Sequence, residues 1–498
     1  MSEAPAVSEG VSVGWRRVVW VCVGIAVVVA ASACDKRERG AKHIPRDRDA
    51  QPVVVVESTT AAVQVEEREP NQTMAEATPL DPGAVAKGSL DGDSDVDLFA
   101  IEIAAEGVLS ATLSGIEEVD LMLDLVDGEG TALAHSDRGP AGTVEGIANF
   151  SLAPGRYALQ VSEFVPKRRK RRGEPRTGPS PVYELSFEVR DPGAEPSQPG
   201  AETREREPND DVDGARELFL GDEGVGYIGW ARDTDLWKVS IEGFTDQYSL
   251  DLDLSGVPQV GLTLEVLDAD GAPLVKRQGK RGVGLAVRNL VPVSGDSTAE
   301  AQGRYYYVRV GARRSNPIEP YRLKVATRLL ELDEEVEPND EAEAATALVA
   351  AEGRNEGTRR GFLTVGDVDR WRLDSAPSPR LLTLEAVPSG DIDVSLTVRV
   401  GGQTVAMIDA GKERAKEYLA DVYVPAGQGA EIELGGTGAA ADVARYELRW
   451  SLAPGPAQPP RASAPEPGGD DPGPGLNNDV DDGDDGDDGD DGLPDELE

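Results

Sequence analysis

Three short segments recur along this chain in a fixed order, and that repetition limits what it can fold into more than any other feature. Glu69-Pro70-Asn71, Glu207-Pro208-Asn209 and Glu337-Pro338-Asn339 stand 138 and 130 residues apart, the length of a whole domain rather than of a solenoid coil. Asp95-Val96-Asp97-Leu98-Phe99, Asp233-Thr234-Asp235-Leu236-Trp237 and Asp367-Val368-Asp369-Arg370-Trp371 follow the three prolines by 25, 25 and 29 residues, and alternating runs opening on Tyr183, Tyr321 and Tyr446 follow by 113, 113 and 108. The spacing therefore predicts three copies of one unit, over 65–191, 203–326 and 333–452. Between the landmarks the apolar residues alternate, as in Leu262-Thr263-Leu264-Glu265-Val266, and Asp-Gly turns such as Asp127-Gly128 and Asp270-Gly271 close the runs. A period of two with frequent Gly and Pro indicates half-buried antiparallel strands. The expected fold class is all-β: three tandem β-sandwich, jelly-roll-like modules with disordered termini. A short helical turn is expected after each Glu-Pro-Asn, near Met74, Ala215 and Ala342. Linkers at Asp191–Glu202 and Glu331–Glu335 should leave the modules as beads on a string.

The flanks are of a different kind. Arg16 and Arg17 precede the apolar run Val18–Ala31, and Ala31-Ser32-Ala33-Cys34 resembles a bacterial lipobox, in which residues 1–33 are a signal peptide and Cys34 carries the lipid. An uncleaved anchor and plain secretion are the alternatives. Residues 34–64 read as a flexible tether and 453–498 as a Pro-, Gly- and Asp-rich tail, disordered because it has almost nothing apolar to bury. From Pro454 onward 12 Asp and 3 Glu face a single Arg. With a formal charge of −42, the chain is unsuited to nucleic acid, whose phosphates call for clustered cations. Both cysteines lie in the first 34 residues, so the body has no thiol chemistry.

The Glu-x-Glu-Pro-Asn openings, the Asp-x-Asp-x-aromatic strands, preceded by Gly in the third copy, and the closing Tyr-x-Leu strands together resemble the bacterial pre-peptidase C-terminal domain. That resemblance implies a β-sandwich of the sort appended to secreted metallo- and serine peptidases, including the collagen-binding domains of clostridial collagenases, and hence binding, targeting or secretion support. No peptidase domain precedes the copies here. Only two histidines occur, His43 and His135, neither with a credible partner in the sequence, so the imidazole of a zinc or serine hydrolase has no place. The chain is expected not to be an enzyme.

Oxygen donors gather at the opening of every copy: Glu67, Glu69 and Asn71; Glu205, Glu207, Asn209 and Asp210; Glu335, Glu337, Asn339 and Asp340. Calcium takes six to eight oxygens, and alternate residues of an extended segment share one side. Asp95 with Asp97, Asp233 with Asp235 and Asp367 with Asp369 could complete the shell if the opening folds against that strand. In the collagen-binding relatives calcium sits between the opening linker and the sandwich, so the resemblance implies calcium as cofactor. The rival reading is a rigid Glu-Pro-Asn turn and an Asp-capped β-turn with no ion. In the first copy Gln72 replaces the Asp found at Asp210 and Asp340.

Phe99, Trp237 and Trp371, like the three closing tyrosines, recur at equivalent places and read as core. In Tyr305-Tyr306-Tyr307, Tyr306 is expected to face outward as a ligand contact. The basic run Lys167, Arg168, Arg169, Lys170, Arg171 and Arg172 is an insertion peculiar to the first copy, either a solvated loop or a seat for an anionic glycan, lipid headgroups or the acidic tail. The leading expectation is a monomeric lipoprotein of the bacterial cell envelope, facing the periplasm or cell surface, that presents its modules to an extracellular protein or glycan. The alternatives are an accessory to secretion or to a separately encoded peptidase, and an enzyme with a carboxylate site.

Overall fold

The computed structural model describes residues 62–165, 176–194, 202–291, 304–438 and 444–457. The leader with Cys34, most of the tether, His43, Lys167–Arg172 and the acidic tail lie outside the described residues.

The chain is all-β, with no α-helix among the described residues. Alternation drives it. Ile392–Val400 buries every second residue over its whole length, so one face of the strand joins a core while the other meets water. Of the helical turns expected after Glu-Pro-Asn, only the third yields a short 3-10 turn, Ala342–Ala344. At the equivalent places the chain forms irregular turns leading into the two-residue strands Thr78–Pro79, Arg216–Glu217 and Thr346–Ala347.

The strands form six sheets with one recurring order. In the second copy one sheet runs Glu202–Arg204, Glu223–Ile228, Asn316–Leu329, Tyr248–Leu254, Leu285–Leu290. The other runs Arg216–Glu217, Thr234–Ser240, Tyr305–Ala312, Leu262–Leu267, Pro273–Gln278. The first copy repeats both orders, and the third repeats them without the short first strand of one sheet. All ladders between long strands are antiparallel, and parallel pairing among named strands is confined to the two- and three-residue opening strands. Each pair of sheets shares one main apolar cluster, centred on Phe99 and Tyr183, on Trp237 and Tyr321, and on Trp371 and Tyr446. Burying a large side chain of this kind stabilises by about 1.5–3 kcal/mol.

The copies do not hang as beads. The described residues from 62 to 457 cluster together as one unit, because the second and third Glu-Pro-Asn segments are each pinned to the copy before them. The Glu207 N–H donates to the Asn149 carbonyl at 2.9 Å and its carbonyl accepts from Ser151 N–H at 2.8 Å, which adds Glu207 to an edge strand of the preceding copy. Glu337 repeats this with Asn289 and Val291, at 2.9 and 3.1 Å. A linker is free only when its backbone groups are left to water, and here they are not. All three Glu-Pro bonds are cis.

Candidate metal centre

In the second copy the opening segment lies against the Asp233–Asp235 strand, and five acidic or amide side chains become almost fully buried together: Glu205, Glu207, Asn209, Asp233 and Asp235. Carboxylate oxygens of Glu205, Glu207 and Asp235 lie within 4.8 Å of one another, as do those of Glu207, Asp210 and Asp233. Glu207 therefore joins five carboxylates into one cluster. Some oxygens are satisfied: Glu205 accepts from Tyr227 N–H at 2.8 Å, Glu207 from Asn209 N–H at 3.0 Å and Asp233 from Gly229 N–H at 2.5 Å. Others have no hydrogen-bond partner, namely Glu205 Oε2, Glu207 Oε1, Asp233 Oδ1 and both oxygens of Asp235. Burial pushes Glu207 up to about 8 and Asp233 to about 7, and drives Glu205 and Asp235 well above the carboxylate range. Carboxylates packed this closely must hold protons or a cation, since an uncompensated buried charge costs several kcal/mol.

The other two copies build the same cluster and meet its charge differently. In the third, Glu337, Asp367 and Asp369 converge, and Arg277 reaches in from the second copy with its side chain 1% exposed. Its guanidinium donates to Asp367 at 2.5 Å, Asp340 at 2.7 Å and Glu337 at 3.1 Å. In the first copy Glu67, Glu69 and Asp97 converge, and the Gln72 amide donates to Glu69 at 2.9 Å and Asp95 at 3.2 Å. The strand register makes Ser136 the first-copy counterpart of Arg277. Ser136 turns instead to Glu145, at 2.6 Å, so nothing cationic reaches the second cluster from that position.

The expected donors are thus brought together in every copy, with differing burial. Glu335, Glu337, Asn339 and Asp369 are buried, while Glu69 and Asp210 are exposed and Asp95 is half-buried. Asp95 also serves as the turn cap the rival reading foresaw, accepting from Asp91 N–H at 2.6 Å.

The closing tyrosines do more than fill the core. Tyr183 donates its hydroxyl to Asp97, and Tyr446 donates to Glu335 at 3.1 Å. Trp237 and Trp371 donate their indole N–H to Tyr321 and Tyr446, both at 2.9 Å. Phe99 has no such donor and packs edge-on against Tyr183. Room for this layer comes from a glycine. A Cβ at Gly226 would overlap both Glu205 Oε2 and the Tyr321 hydroxyl oxygen, and Gly88 and Gly361 stand in the same relation. The signal was present in the sequence as a glycine at the same place in each copy.

Two expectations need correction. Tyr306 is 4% exposed and belongs to the core, because it shares the strand phase of Val308 and Val310. Tyr305 and Tyr307 take the opposite face, stacked edge-on at 5.2 Å, with Lys238 over Tyr305. His135, read as partnerless, lies 2.6 Å from Asp124, and that bond raises its pKa.

No family model matches the chain, and no curated protein does. Among solved structures, the chain is similar to the pre-peptidase C-terminal domain of a Bacillus anthracis collagenase, at 20% identity over 24% of this chain and 99% of that one, with a TM-score of 0.18. It is also similar to the CUB1-EGF-CUB2 domains of rat MASP-1, at 8% identity over 48% and 99% and a TM-score of 0.13. The infectious bursal disease virus VP2 subviral particle follows at 11% identity over 71% and 72%, TM-score 0.15. Likenesses of this strength carry no weight for function.

Proposed function

We propose that this chain is a non-catalytic lipoprotein of the bacterial cell envelope, built of three β-sandwich modules of pre-peptidase C-terminal type, whose junctions are stiffened by calcium and whose surfaces serve a protein or glycan partner. The modular reading is supported by the recurring sheet orders and the three separate apolar clusters. A single continuous β-solenoid would stack parallel strands from successive turns, whereas parallel pairing here is confined to two- and three-residue strands and to isolated bridges such as Glu207 on Phe150.

The observation that carries the calcium reading is Asp235, fully buried with neither oxygen hydrogen-bonded, within 4.8 Å of Glu205 and Glu207. Six oxygen-bearing side chains meet there, which suits calcium's irregular shell of six to eight oxygens better than the strict octahedron of magnesium. The second copy is the principal site, since no cationic side chain is bonded to its cluster among the described residues. The first is weaker because a neutral Gln72 stands where the second has Asp210, and its amide already donates to Glu69 and Asp95. In the third, Arg277 already occupies the place of the ion.

Calorimetric titration of calcium into the full chain, freed of metal by chelation, tests this. The expected result is one tight equivalent, lost in Asp235→Asn, with a rise in melting temperature. Stabilisation should approach about 2.7 kcal/mol at a hundredfold excess over Kd. Absence of both heat and thermal shift at millimolar calcium would reduce the cluster to a protonated structural knot.

A further inference from the structure

A cleft of about 1110 Å³ opens on the second copy, lined by Arg232, Lys280, Arg281, Arg309, Arg313 and Arg314 against only Asp233 and Glu265. Glu265 is already bridged by Lys276 at 2.6 Å and Arg309 at 2.9 Å, and Asp233 belongs to the buried cluster. The other five cations are exposed, and among the described residues none of them has an acidic partner. Gly261, Gly279 and Gly311 leave bare backbone between them. At Gly311 a Cβ would meet the Thr234 methyl at 2.9 Å.

This basicity is not inherited from the repeat. By strand register Arg309 corresponds to Gln160 in the first copy and Glu433 in the third, and Arg313 to Phe164 in the first. Arg232, one residue before the first aspartate of its Asp-x-Asp pair, corresponds to Ser94 and Gly366. The walls hold no aromatic ring, so neither a sugar nor a base has a face to stack on, and an occupant is recognised by its charge. A free polyanion must approach against a net charge of −42, whereas an acidic segment of the same chain is already there.

We propose that the cleft seats the chain's own C-terminal Asp-Asp-Gly run, from Asp481 to Gly492, and is thereby withheld from outside anions. The run offers four Asp-Asp pairs separated by glycines, which let its backbone lie close to the glycine floor. Reach is sufficient. Asp481 is 24 residues beyond the last described residue, Ala457, and 24 residues extend to about 80 Å. The longest strand in the molecule has 14 residues, about 46 Å. A tether of this length holds its end at an effective concentration near the millimolar range.

The test is fluorescence anisotropy of a labelled peptide of residues 479–492, at about 0.05 and 0.5 M salt. Three full-length proteins are compared: the native chain, the chain with its four Asp-Asp pairs changed to Asn-Asn, and the latter with Lys280→Glu, Arg313→Glu and Arg314→Glu. The neutralised tail should raise peptide affinity about tenfold by removing the competitor, high salt should abolish binding, and the three reversals should lose it at unchanged melting temperature. If the reversals unfold the protein, Arg313→Gln alone must still weaken binding. Equal affinity of native and neutralised chains overturns the proposal. So does undiminished binding after the reversals, which would place the peptide elsewhere, for instance on Lys167–Arg172. Binding of polyphosphate but not of the peptide would make the cleft a receptor for external polyanions and overturn it as well.

Discussion

Arg277 stands on the last strand of one sheet in the second copy, yet its guanidinium is buried among three carboxylates of the third. The attraction of Asp367, Glu337 and Asp340 raises its pKa against the opposing effect of burial, so it stays charged at any pH the fold survives. Removing one partner of a buried ionic cluster leaves the rest uncompensated and costs about 3–5 kcal/mol. Arg277→Met should therefore destabilise the chelated protein by about that much, calcium should restore it, and titration should count one equivalent more than in the native chain. Proton binding gives a second handle. Burial holds Asp97 and Glu207 near 8 and Asp233 and Glu145 near 7, all above their unfolded values, so between about pH 4 and 8 the folded state keeps protons that the unfolded state has lost. Under chelation, stability should then fall as pH rises through that window. Calcium binds the deprotonated cluster and should flatten the fall, leaving a residue owed to the raised groups outside it, Glu145, Asp120, Asp137 and His135. Melting curves from pH 5 to 8 with and without calcium measure both parts, and Glu145→Gln should reduce the calcium-independent one without touching the other.

Between copies, the junction is a strand addition fixed by one asparagine. Asn149 and Asn289 sit at bulges of the edge strands with φ of 51° and 55°, a conformation asparagine tolerates better than most residues. Each presents its side-chain amide to the next copy's first glutamate, at 3.4 and 3.5 Å, and accepts from Arg190 or Arg328. Asn289→Gly keeps the backbone unstrained but deletes these bonds. It should cost about 1–2 kcal/mol and expose Leu329–Glu335 to proteolysis, which a time course of cleavage would show. In the third copy the same register carries Asp421, also at positive φ, and Ala453 in place of the arginine, so the last edge lacks the clasp and would repel another Glu-Pro-Asn segment. The strands themselves were legible in the sequence, since alternation at Leu262–Leu267 or Ile392–Val400 survives intact in the fold. Tyr306 was misread although Val308 and Val310 set its phase. The clasp was not legible, because a bulge shifts alternation by one residue and nothing in a lone Asn announces it.

Over the whole molecule, the regular spacing of Glu-Pro-Asn, Asp-x-Asp and Tyr was enough to gather the donors of each cluster, because all of them belong to one copy. What compensates the third cluster was hidden, since the group comes from another copy: Arg277 lies 90 residues before Asp367, and no local pattern links them. The two junctions consequently differ in kind. The one between the second and third copies is held by the strand addition and by a guanidinium that is part of the chain. The one between the first and second has the same strand addition, but its cluster, Glu205 to Asp235, contains unpaired carboxylates and, among the described residues, no side-chain cation bonded to them. Coupled units melt together only while the interface between them is stable, so the two junctions should respond differently to chelation. With calcium, differential scanning calorimetry of the full chain should show the copies unfolding in one transition. After chelation, as the pH is raised past 8 and Glu207 and Asp233 give up the protons that burial lets them keep, the first copy should separate as a distinct transition while the second and third remain joined. Arg277→Met under the same conditions should release the third copy too. A single unsplit transition in every case would mean that backbone pairing alone couples the copies and that the clusters contribute nothing to the stiffness of the array.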